Sequence, residues 1–211
     1  MVLWANPGRC CSQPVDAGIM NSIIREKILS QLAIVGRLVD LYQQKDARFA
    51  VSVIDWVEQT ETELAPFRLP LVSELSGLRG MMAATADGYV EPSVAQTNSR
   101  STRKQISATY MVLLQQAEQR LREKVLTIDA ELDEYRDKLS QVLAVASEQQ
   151  PLPAPDVMST QYLDQLWHQV SASQSNKTLV LYLQARMSET DRRYLLQDLV
   201  GHLLGQVSAQ A

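Results

Sequence analysis

The chain holds only two histidines, and each follows an aspartate by four residues: Asp164 precedes His168, and Asp198 precedes His202. On a helix that spacing puts a carboxylate and an imidazole on one face, one turn apart. If two such helices faced each other, two imidazoles and two carboxylates would suffice to ligate a divalent metal. The surroundings argue for something plainer. His202 lies among Leu199, Val200, Leu203 and Leu204, and the Glu-x-x-His repeats of di-iron helical bundles are missing. Two local Asp–His pairs that cap or orient a side chain are expected, with no metal and no cofactor.

A second cluster is basic. The segment NSRSTRK, residues 98–104, gathers Arg100, Arg103 and Lys104 where a helix should begin. Free backbone N–H groups and the helix dipole favour anions at such a place, so these three residues are the candidate anion or nucleic-acid site. Arg120, Arg122 and Lys124 continue the positive charge, but Glu118 and Glu123 dilute it. Arg192 and Arg193 add a smaller pair near another helix start. No aromatic residues are interleaved to stack on bases. The whole chain carries a net charge of −4, so contact with nucleic acid would depend on the local patch alone. It is the alternative expectation rather than the leading one.

Catalytic signatures are missing. The chain contains no G-x-S-x-G, no phosphate-binding P-loop, no G-x-G-x-x-G and no H-E-x-x-H. Cys10 and Cys11 are adjacent and cannot bridge each other without straining the peptide between them, which removes a disulfide-stapled fold. Two histidines set beside leucines supply little general-base material. The expectation is a protein that is not an enzyme.

What must carry these residues is helix. Apolar residues make up 45% of the 211-residue chain and charged residues 21%, a globular balance with a full core available. Turn clusters at the even spacing of an all-β domain do not occur. Residues 1–19 hold both cysteines and two prolines and lack the pattern of a signal peptide, so they read as a flexible leader. No run approaches the roughly 18 apolar residues of a membrane span, and a cytoplasmic protein is expected.

From Ser22 onward, Ile28, Leu32, Val35, Val39, Tyr42, Asp46, Phe49, Val53 and Trp56 are spaced alternately by four and three. This is a heptad track interrupted once by a charge, and with no proline before Pro66 it predicts one continuous helix over 22–65. The competing reading breaks the helix at Gln43–Asp46, with Asp46 capping a second one. Further apolar residues beside the track, among them Ile34, Leu38, Ile54 and Val57, make the face too wide for a two-stranded seam.

A short helix is predicted over 69–86, a loop over 87–102, and a second long helix over 103–147, where apolar residues recur from Ile106 to Ala146 without Gly or Pro. Ala117, Leu121 and Val125 step by four twice, which should relax any supercoil there. Three prolines within 151–155 mark residues 148–156 as a stiff linker. Three helices follow, over about 159–173, 176–187 and 188–210, and Ser188 with Asp191 makes a near capping box at the start of the last.

The fold expected is all-α, a long antiparallel helical hairpin or elongated helical bundle over 20–147 with a small C-terminal helical subdomain over 157–211. Such a shape presents long exposed sides that hold partners better than they enclose a reaction. The leading expectation is a non-enzymatic interaction, scaffold or regulatory protein whose apolar helix faces bind a protein partner or another copy of the chain.

Overall fold

The structure is a computed structural model that describes residues 20–95, 102–149 and 157–209. Among the described residues every regular element is helical: α1 Asn21–Gln43, α2 Phe49–Leu64, α3 Pro70–Ala86, α4 Pro92–Ala95, α5 Thr102–Gln149, α6 Thr160–Ser171, α7 Lys177–Arg186 and α8 Glu189–Ala209. None is long and apolar enough to cross a membrane.

The helix expected over 22–65 is two helices. The chain reverses at Gln44–Arg48 in a Schellman turn, with the Asp46 N–H donating to Leu41 O at 3.0 Å and the Lys45 N–H to Tyr42 O at 3.0 Å. Lys45 takes the left-handed position, φ 55°, that glycine usually fills. Asp46 then starts the return: its carboxylate accepts the Arg48 N–H at 2.8 Å and pairs with the Arg48 guanidinium at 2.7 Å. That double contact pulls the Asp46 carboxyl down to about 2. Across the turn the Tyr42 and Phe49 rings pack 5.2 Å apart, tilted by 55°. Farther along, the Trp56 indole N–H donates to Gln31 O at 3.1 Å and the Thr60 hydroxyl to the Gln31 side chain at 3.3 Å, which fixes α2 against α1.

α3 is a full bundle member. Its buried Leu71, Leu75, Leu78 and Met82 face the same core as α2 and α5. Tyr110 of α5 donates its hydroxyl to Met82 O at 2.9 Å, and Arg120 lies 3.5 Å from Glu74, so α3 runs antiparallel to α5. α1 does the same, with Asn21 bonded to Glu131 and Arg25 to Asp129. The outcome is an up-down-up-down arrangement of α1, α2, α3 and the N-terminal part of α5.

Length explains the rest. At 1.5 Å per residue the 48-residue α5 is about 72 Å long, whereas the 23-residue α1 covers only about 35 Å of it. The apolar stripe of α5 nevertheless continues through Leu132, Tyr135, Leu139, Val142, Leu143 and Ala146, all buried. α6, α7 and α8 cover that second half. Tyr135 donates its hydroxyl to Arg186 O at 3.3 Å, and buried Asn176 donates its amide to Val142 O at 3.0 Å and Val170 O at 3.1 Å. The stripe stays buried through Ala117, Leu121 and Val125, where the spacing changes. Residues 1–19, and 150–156 of the proline-rich segment, lie outside the described residues; Glu148 and Gln149 belong to α5.

Candidate functional site

Three helices that are distant in sequence meet where α1 begins. The first N–H groups of a helix have no partner within it, and α1 has no capping side chain of its own. Asp191, the third residue of α8, fills that role. Its carboxylate accepts the Asn21 N–H at 2.9 Å, the Ser22 N–H at 2.7 Å and the Ser22 hydroxyl at 2.5 Å, and its side chain is fully buried. The same carboxylate accepts the Ser188 hydroxyl at 2.9 Å while Ser188 accepts the Asp191 N–H at 3.1 Å, so the N-cap half of the expected capping box forms and the carboxylate takes the serine hydroxyl in place of its backbone N–H. One carboxylate therefore caps α1 and holds the capping serine of α8. Asn21 adds a bond from its amide to Glu131 of α5 at 2.7 Å.

This joint fixes the surface outside it. Arg25 and Asp129 form an ion pair at 2.5 Å across α1 and α5, with both side chains about one-third exposed. One turn farther along each antiparallel helix stand Leu29 and Leu126, which places both leucines on the same side of the pair. Leu126 is 68% exposed and Leu29 38%. The hydrogen bond to Asp129 raises the Arg25 pKa, and Tyr194, in the turn of α8 after Asp191, is 47% exposed. Leu29 and Leu126 thus share one face of the α1–α5 pair beside the Arg25–Asp129 ion pair, and Tyr194 is a further exposed apolar side chain on α8. The sequence signal for Leu126 is an apolar residue on the charged face of α5; for Leu29 and Tyr194 only the assembled fold shows it.

The expected chemical groups are dispersed. Asp164 does not pair with His168: Arg193 of α8 takes both its oxygens at 2.9 and 2.7 Å, and Arg192 approaches at 3.5 Å. The Arg193 hydrogen bonds hold the Asp164 carboxyl below the usual carboxylate range. His168 stands exposed in the last turn of α6, where the helix dipole favours a cation. His202 does stay with Asp198, its Nδ1 2.9 Å from Asp198 O and 3.5 Å from the carboxylate, which also contacts Arg136 at 3.3 Å. Among the described residues no group of three or more His, Cys, Asp or Glu side chains converges as a metal site.

The basic cluster is only partly described. Arg103 and Lys104 lie exposed in the first turn of α5, whereas Arg100, like Cys10 and Cys11, lies outside the described residues. Two of the three cations that extend the cluster along the helix are paired: Arg122 with Glu118 at 2.6 Å, and Arg120 with Glu74 and Glu123. Arg192 stacks 5.2 Å over the Trp167 ring and Arg193 also meets Glu189, so both serve the α6–α8 contact. A shallow open depression near them is lined by Thr160, Gln161, Asp164, Gln165, His168 and Gln169, all from α6 alone, and lacks a second wall.

The chain matches no family model, no curated protein and no solved structure.

Proposed function

We propose that this chain is a non-enzymatic helical interaction protein, acting in the cytoplasm as a scaffold or regulator. The surface where α1, α5 and α8 meet docks an apolar helix face of a partner protein or of another copy of the chain. The observation that carries the reading is the exposure of Leu126, 68%, one helical turn from the Arg25–Asp129 ion pair and level with exposed Leu29 on α1. Large apolar side chains grouped on a rigid, hydrogen-bonded joint resemble the anchors at the centre of protein interfaces, which a polar rim surrounds.

The test is a comparison of wild type with the double variant Leu29→Glu, Leu126→Glu. Both positions are exposed, so the fold should tolerate the change within about 1 kcal/mol. Affinity capture from the native host, with protein mass measured in solution alongside, should show an assembly for wild type that the variant loses. Equal assembly by both proteins, or a monomer without partners in both, overturns the proposal.

A further inference from the structure

We draw no further inference here: the strongest candidate, the exposed leucines Leu29 and Leu126 on the α1–α5 face, belongs to the docking role already proposed, and nothing in the structure shows what covers it.

Discussion

Replacing Asp191 by alanine should destabilise the protein far more than its place in the first turn of α8 suggests. The carboxylate is fully buried and accepts four hydrogen bonds from outside its own backbone: two N–H groups of α1, the Ser22 hydroxyl and the Ser188 hydroxyl. In Asp191→Ala the hydroxyls can rotate toward other acceptors, but the Asn21 and Ser22 N–H groups cannot. Losing one N-cap costs about 1 kcal/mol, and a hydrogen bond to a charged acceptor contributes about 1.5–3 kcal/mol. Two backbone N–H groups at the start of α1 lose a charged acceptor at once, while Ser188 still accepts the N–H at position 191, so a total near 3 kcal/mol follows. For a chain of this size each kcal/mol shifts the melting temperature by about 2–4 °C, giving a drop of roughly 6–12 °C. Thermal unfolding followed by circular dichroism measures it. Amide exchange adds a local signature, with the first turn of α1 losing protection although the substitution lies 170 residues away in sequence. Ser22→Ala combined with Asp191→Ala should cost less than the two separate effects added, because they share a bond. An Asp191→Ala protein that melts within about 1 °C of wild type, with α1 exchange unchanged, would refute the reasoning.

Other outcomes follow from the same geometry. Ile128 is fully buried in the stripe of α5, and Ile128→Ala should cost about 2–5 kcal/mol in urea unfolding; a loss under about 1 kcal/mol would mean that the helix is not packed as described. The Asp46 carboxyl should titrate near 2 in a carbon-detected NMR experiment. Because its folded value is depressed, the contribution of the turn to stability is complete above about pH 4, the unfolded aspartate value, and is lost as pH falls through about 2; a midpoint near 4 would contradict the Asp46–Arg48 contact. The basic cluster gives a test of the alternative function. Replacing Arg100, Arg103 and Lys104 by alanine should leave nucleic-acid retention at low salt unchanged, whereas a salt-steep affinity that the triple variant abolishes would favour a nucleic-acid role.

α5 was legible in the sequence to within two residues at either end, since a long stripe without Gly or Pro leaves few alternatives. The turn at residues 44–48 was legible only as the competing reading, a break at Gln43–Asp46 with Asp46 starting the second helix, and the structure follows that reading. Its heptad phase survived because Tyr42 and Phe49, seven residues apart, are both apolar for a different reason: they stack on each other across the reversal. Lys45 occupies the left-handed position, so the glycine that usually signals such a turn is missing.

The Ser188–Asp191 box could be read because it is local, but the second task of Asp191 at α1 depends on helices that only the folded chain brings together. Asp164 shows the same limit. A four-residue spacing suggested His168, while Arg193, 29 residues away, offers a charged two-point contact that one imidazole nitrogen cannot match. The surface around Leu126 was hidden for a similar reason: a single apolar residue on a charged face has meaning only beside the neighbours that folding supplies.

Photo-crosslinking in the native host tests the central claim most directly. A photoreactive phenylalanine placed at Leu126, with another at exposed Ser76 of α3 as control, reports which surface another protein touches. The account predicts a discrete adduct of defined mass from position 126, lost on adding Leu29→Glu, and none from position 76. No adduct from 126, or the same adducts from both positions, would contradict it.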